Sequence, residues 1–246
     1  MSGLLAIYRR ELAAYFQTPL AYVFLAFFAA AAPAFAFHFG SFFNTGRADL
    51  SPFFDWMPWL LLILMPALGM RAWAEERDRG TLEFLMALPM PVWQAVGGKF
   101  LAGWTVAAAA LALTFPMWAA VNYLGSPDNA AIAAAYFGAL LLAGGYLALG
   151  QALSATTSNQ VVAFVLGAGA CFLLSMTGLP IVLSALGDAA PAVLVEAVAE
   201  LSALERYDAL RRGVVSLRDL IYFLSLMGLS LTAAGVLIDE RRGGGR

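Results

Sequence analysis

Long uncharged apolar runs alternate along the chain with short segments in which nearly all of its charge is gathered. Six runs come close to the roughly 20 residues that an apolar helix needs to cross a hydrocarbon layer. They are Leu20 to Phe39, Phe53 to Met70, Phe100 to Gly125, Ile132 to Ala155, Val161 to Ala185 and Leu220 to Ile238. Across all six, the only Asp, Glu, Lys or Arg is Asp55. The second run is the shortest and carries Asp55 and Pro58 near its start. The stretch between Asp128 and Asp188 is free of such residues and too long for one helix, so its polar break, Thr156-Thr157-Ser158-Asn159-Gln160, reads as a tight turn between two spans.

The pattern predicts an all-α integral membrane protein with six transmembrane helices and a single membrane domain over residues 1–246. Within it lie an amphipathic lead over 1–19, a loop over 71–99 and a second loop over 186–219. The first run passes Pro33 and follows a lead that contains Glu11, which reads as an uncleaved anchor rather than a signal peptide, although Ala30 and Ala32 form a small-residue pair. No internal repeat and no low-complexity linker stands out.

Composition sharpens this picture. Hydrophobic residues make up 62% and charged residues 12%, against about a quarter charged in a soluble domain. Lys and Arg are unevenly divided between alternate sides. Arg9, Arg10, Arg71, Arg77, Arg79, Lys99, Arg241, Arg242 and Arg246 fall on one side, and Arg47, Arg206, Arg211, Arg212 and Arg218 on the other. The positive-inside rule then puts both termini in the cytoplasm, with the 71–99 loop inside and the 186–219 segment outside.

Several function classes are disfavoured. A net charge of −2 without a basic stripe argues against nucleic acid. The lone Cys171 forms no intrachain disulfide, and the lone His38, beside Phe37 and Phe39, reads as interfacial rather than as a metal ligand or proton relay. No span carries a titratable group near its middle, which disfavours an ion-coupled carrier. The residues for an intramembrane hydrolase are missing, and so is a phosphate-binding loop: Gly98-Lys99 is followed by Phe100, and Trp93 stands where the first glycine belongs. No cofactor or metal is expected in this chain.

The loop after the second run is where chemistry concentrates. Charges crowd Arg71 to Arg79, and Gly80 can end one helix. Thr81 can cap a second, with Glu83 in its first turn. Leu82, Leu85 and Met86 share one face, and Pro89 and Pro91 stop the helix. By its residues alone this short helix is equally an interfacial anchor and a docking element for a cytoplasmic partner.

The stretch Glu75-Glu76-Arg77-x-x-Gly80-Thr81-Leu82-Glu83, with Pro89 and the Gly98-Lys99 pair, resembles the signature of ABC transporter permeases of the type-2 exporter class. Two further segments are similar to the gliding-motility and copper-site-maturation subgroup. One is Arg9-Arg10-Glu11-Leu12 through Tyr15-Phe16 to Pro19-Leu20-Ala21-Tyr22, and the other runs from Arg211-Arg212-Gly213 to Ser225. The resemblance implies a permease subunit of an exporter in the bacterial inner membrane. It implies two copies of a cytoplasmic ATPase that bind ATP and Mg, and a second permease chain, making a homodimer or heterodimer. It makes the helix after the second span the coupling helix, with Glu75, Glu76, Arg77, Gly80, Thr81, Leu82, Glu83, Leu85 and Met86 facing the ATPase. It also implies short external helices before the sixth span. Glu205-Arg206-Tyr207-Asp208 departs from the aromatic and His-rich approach common in relatives.

In the outer segment, Leu194, Val198, Leu201 and Leu204 recur at helical spacing from Pro191 to Arg206, with Glu196 and Glu200 off the stripe. This predicts a surface helix, either a lid on the bundle or an external gate in which Leu194, Leu201, Arg211 and Arg212 take part. Gly144 with Ala148, and Ala163 with Gly167, are spaced for close helix packing. A different function class also fits: a mechanotransmitting or scaffolding component driven by the same kind of ATPase, acting on an external accessory protein without moving solute.

Overall fold

The computed structural model describes residues 3–40, 49–87, 90–187 and 191–243. Arg47, Pro89, Asp188 and Arg246 therefore lie outside the described residues. Among those described, every regular element is a helix. The lead is α1 (Gly3–Gln17), and the first run is α2 (Pro19–His38), entered through Thr18 with Pro19 at its first turn. Next come α3 (Ser51–Gly69), α4 (Arg71–Asp78) and α5 (Leu82–Ala87). Then follow α6 (Val92–Leu113), α7 (Phe115–Leu124) and α8 (Asn129–Ser154). The remainder is α9 (Gln160–Met176), α10 (Pro180–Gly187), α11 (Ala192–Glu200), α12 (Ala203–Arg211) and α13 (Leu217–Gly243).

Five helical stretches are long and apolar enough to cross a membrane: Ala21–His38, Ser51–Asp78, Val92–Leu124, Asn129–Ser154 and Leu217–Glu240. The fifth predicted run is broken, a correction to the expectation of one continuous span. Helix α9 has 17 residues and stops at Met176, because Thr177-Gly178-Leu179 leads into Pro180, whose ring cannot continue a helix. The third run also breaks, at Thr114, where Pro116 lacks the amide that would carry the ladder on. At the break the Thr114 carbonyl accepts from the Met117 amide at 2.9 Å and from the Tyr136 hydroxyl at 3.1 Å. The outer segment is two helices instead of one: α11 ends at Glu200, and Ser202 starts α12 by accepting from the Glu205 amide at 3.3 Å. The break at 156–160 is a turn, with Asn159 capping α9 through the amides of Val161 and Val162. Asp128 caps α8 in the same way.

Helix α8 is the hub, packing against α3, α6, α9, α12 and α13. Phe53, Phe54, Met57, Leu61 and Met65 from α3 meet Tyr136, Leu142 and Tyr146 from α8 in the main core. Lipid tails are as apolar as these side chains, so close contact has to supply what water exclusion cannot. Glycines provide it. Gly69, Gly150 and Gly167 bring α3, α8 and α9 together around Pro66, and a Cβ at Gly150 would stand 3.0 Å from the Pro66 Cα. Gly144 packs against Met227 and Trp104. A smaller cluster of Ile7, Trp73, Val96, Ala152, Ala234 and Ile238 joins α1, α4, α6, α8 and α13 at one end of the bundle. The first and last described helices thus share an end.

Gly150→Val forces side-chain atoms onto the Pro66 backbone and is expected to cost about 1–3 kcal/mol, read as a lower thermal midpoint of the solubilised protein. Gly169→Val, on the same bundle with nothing within 4 Å of its Cβ position, leaves the midpoint in place.

Candidate functional site

Helix α4 follows α3 after a bend at Met70, and its first-turn amides have no partner within the helix. Ser154, the last residue of α8, supplies one. Its hydroxyl accepts from the amides of Trp73 at 3.2 Å and Ala74 at 3.0 Å and donates to the Met70 carbonyl at 2.7 Å. One hydroxyl on the central helix therefore fixes the start of α4. Trp73 is fully buried beside it.

A second fastening is electrostatic. Lys99, near the start of α6, has a side chain only 4% exposed. Its Nζ donates to Glu76 Oε1 at 2.8 Å and Glu11 Oε1 at 3.0 Å, and lies 5.2 Å from the Trp73 ring centre. Arg10 donates to the same two carboxylates, at 2.6 Å to Glu11 and 3.2 Å to Glu76. Helices α1, α4 and α6 are thereby joined through shared oxygens. Gly98 makes the approach possible, because a Cβ there would fall 2.8 Å from Ile7 Cγ2 and 3.0 Å from the Leu4 carbonyl oxygen. Burial pushes the Glu11 carboxyl up, but Lys99 and Arg10 outweigh it and hold it below its ordinary value. Beside this cluster, Glu75 pairs with Arg71 at 2.6 Å and Arg79 at 2.7 Å.

Past Asp78 the chain turns sharply. Gly80 has φ of +66°, the Thr81 amide donates to the Glu76 carbonyl at 2.9 Å, and the Gly80 amide donates to that of Arg77 at 3.1 Å. This is a Schellman ending. The Thr81 hydroxyl donates back to the Glu76 carbonyl at 3.3 Å, so it closes α4. Helix α5 then projects outward. Glu83 and Phe84 are exposed, Phe84 at 77%, whereas Leu82 packs inward on the cluster around Ile7 and Trp73. Leu85 and Met86 belong to α5, but their side chains lie outside the described residues. Arg77 is half-buried.

The predicted coupling residues thus divide. Glu75 and Glu76 turn towards cations of their own chain, at 13% and 14% side-chain exposure. Glu83 faces outward. Arg10, Glu11 and Phe84 belong to the site and were missed. The first two sit in the amphipathic lead, far away in sequence, and an aromatic next to Glu83 on a short surface helix was the available signal for the third.

At the opposite end, Arg211 of α12 pairs with Asp55 of α3 and with Asp208, and Arg212 pairs with Asp208. The Tyr207 hydroxyl donates to the Phe54 carbonyl at 3.2 Å. Gly213, with φ of +82°, ends α12 in a second Schellman turn. Arg206 pairs with Asp219 at 3.4 Å and also with Glu200. The charged residues around Asp55 border a cavity of about 500 Å³ that Trp59 and Pro180 also line. Leu194 and Leu201 are each 54% exposed, so the α11 stripe does not pack as a lid on this chain's bundle. The structure brings Arg211 and Arg212 together and leaves Leu194 and Leu201 apart from them on the surface.

The sequence profile described as ABC-2 family transporter protein matches residues 13–238. The chain belongs to that family. It is accordingly the multi-pass membrane component of an ABC transporter, a permease whose family lacks a nucleotide-binding domain and works with an ATP-binding partner subunit. No curated protein matches it. The match covers α2 to α13 up to Ile238, and both clamps of the permease's α4 fall inside it except for Arg10 and Glu11.

Lys99→Leu leaves Glu11 and Glu76 half-buried with Arg10 as counter-charge and is expected to lower the stability of the permease by about 3 kcal/mol, measured by denaturant unfolding in micelles. Arg212→Gln, removing an exposed surface pair, costs under about 1 kcal/mol. Because the Glu11 carboxyl is depressed in the folded state, its contribution is fully present above the ordinary value of 4.5 and lost as pH falls below it. Amide exchange in α1, corrected for intrinsic rate, is expected to rise over that acid window, and Glu11→Gln shows the faster exchange already at neutral pH.

Proposed function

We propose that the permease is the membrane subunit of an exporter in the bacterial inner membrane, moved by a separate ATPase that grips α5. The observation that carries this reading is the contrast between the exposed Phe84 and the fully buried Trp73, one on an outward lever and the other in its clamped base. A partner that displaces α5 pulls on α4, and α4 is tied to α1 and α6 by Glu76 and to α8 by Ser154. Force applied at one surface is thereby delivered to four helices. Glu75 and Glu76 act in this scheme by setting the lever, while Phe84 and Glu83, with Leu85 and Met86, supply the contact. ATP and Mg are bound by the partner.

In this reading α9 also crosses, as the fifth in chain order, and brings the number of crossings to six. It begins beside the α8 terminus at Asn159 and ends where Ser202 donates to the Ser175 carbonyl at 3.5 Å, at the end that carries α12. Six crossings put both termini on one side, the side of the Arg10, Arg71, Arg79 and Lys99 cluster, which the positive-inside rule makes cytoplasmic. Two permease chains with two ATPase chains complete the transporter. Its kinship within the family is the gliding-motility and copper-site-maturation subgroup, and Arg211 with Asp55 forms the external gate.

The exposed apolar stripe on α11, with Val193 75% exposed, also supports force transmission to an external protein without solute movement. Deleting α11 separates the two: a transmitter loses its external protein, while an exporter keeps its ATPase and its ATP turnover.

Phe84→Glu puts a charge where an apolar anchor enters the partner and is expected to reduce the ATPase subunit recovered with the permease at least about tenfold, with membrane levels of the permease unchanged. Undiminished recovery of the ATPase overturns the docking role of α5.

A further inference from the structure

The clamp of α4 borders a half-open cavity of about 660 Å³ between α1, α4 and α5. Its charges do not balance. The three carboxylates of the clamp, Glu11, Glu75 and Glu76, face four cations, Arg10, Arg71, Arg79 and Lys99, leaving one positive charge over. Lys99 is enclosed and fully engaged, so the surplus resides on the guanidinium groups at the mouth. Arg10 and Arg79 have side chains 53% and 68% exposed. Among the described residues each meets its carboxylates through Nη2 alone, so Nε and Nη1 point to no protein acceptor. A guanidinium with spare donors suits a phosphate oxygen pair.

The depth of the cavity follows from what lines it. Thr18 immediately precedes α2, Arg71 immediately follows the uncharged run that ends at Met70, and Lys99 stands next to Phe100, where the third uncharged run begins. All three mark the boundary between hydrocarbon and headgroups. Ala14, Ala72 and Phe84 give the cavity apolar walls, and Gln17 adds a neutral amide donor. Basic pockets between helices at this level are where anionic headgroups are held.

We propose that this cavity binds the phosphodiester headgroup of an anionic membrane lipid, with Arg10 and Arg79 as its ligands. One phosphodiester carries one negative charge and neutralises the surplus. A bound lipid joins α1 to the α4–α5 turn from outside, adding a third fastening to the lever. The inference rests on the membrane placement of the chain and is independent of the exporter reading, because it needs no ATPase and no cargo.

The test uses the full chain in phosphatidylcholine nanodiscs with increasing phosphatidylglycerol, counting retained lipid by native mass spectrometry and following the thermal midpoint. One phosphatidylglycerol is expected to stay with each chain and to raise the midpoint. Arg79→Gln is expected to weaken retention about tenfold, while Arg9→Gln, an exposed neighbour outside the cavity, retains it like the unmodified chain. Equal retention of phosphatidylcholine, undiminished retention by Arg79→Gln, or an equal loss with Arg9→Gln overturns the site. Inorganic phosphate producing the same midpoint shift makes the ligand a free anion and overturns the lipid. Stabilisation that appears only on adding the ATPase subunit assigns the cavity to a protein side chain, and that too overturns it.

Discussion

An ammonium group taken out of water at the edge of a bilayer has to be met by carboxylates, and the burial of Lys99 organises this end of the molecule. Two acids answer it, and they come from helices that are remote in sequence: Glu11 from the lead and Glu76 from the segment after α3. Both must reach the same nitrogen, so α1 has to lie along α6 and α4 has to fold back against it. Gly98 is the steric counterpart of Lys99, removing the side chain that would hold α1 away. Adjacent positions on α6 thus supply the charge and the space.

The same cluster explains how a helix as short and highly charged as α4 is held in place. Eight residues of helix are marginal in isolation. Helix α4 gains its stability from its surroundings: Ser154 satisfies its first amides, Glu75 and Glu76 are held by cations on both flanks, and Gly80 closes its last turn. Among the described side chains of α5, Leu82 packs inward, while Glu83 and Phe84 are exposed. A stiff element followed by a freer one across a glycine suits a contact that must adapt to a partner and yet deliver force to the bundle.

The apolar pattern carried the helical class and most of the span positions, because an uncharged run of about 20 residues has few other uses. It failed where the break was apolar too. Thr114 and Thr177-Gly178 interrupt runs that stay hydrophobic throughout, and only Pro116 and Pro180 signalled the change of direction. The motif around Glu75 to Glu83 singled out this segment in the sequence, and the resemblance it carries implies acids that face a partner. They face inward because Arg10, Glu11 and Lys99 are brought to them by tertiary packing, and no local spacing announces contacts across so many residues. The exposure of Leu194 and Leu201 was equally hidden: a helical stripe states that one face is apolar, not what that face meets.

The two ends of the bundle solve one problem in two ways, and the difference bears on how such a protein works. At the α4 end, carboxylates and cations enclose an ammonium with almost no exposure, and breaking the cluster strands a buried charge. At the α12 end, Asp55 is half-exposed, and Arg211 divides its guanidinium between Asp55 and Asp208. A pair of that kind is weak and readily remade. At this end Arg211 and the Tyr207 hydroxyl hold α12 to α3, a lighter fastening than the enclosed cluster around Lys99. On the exporter reading proposed above, the stiff end is the one the ATPase grips and the more loosely held end is the one that faces outward.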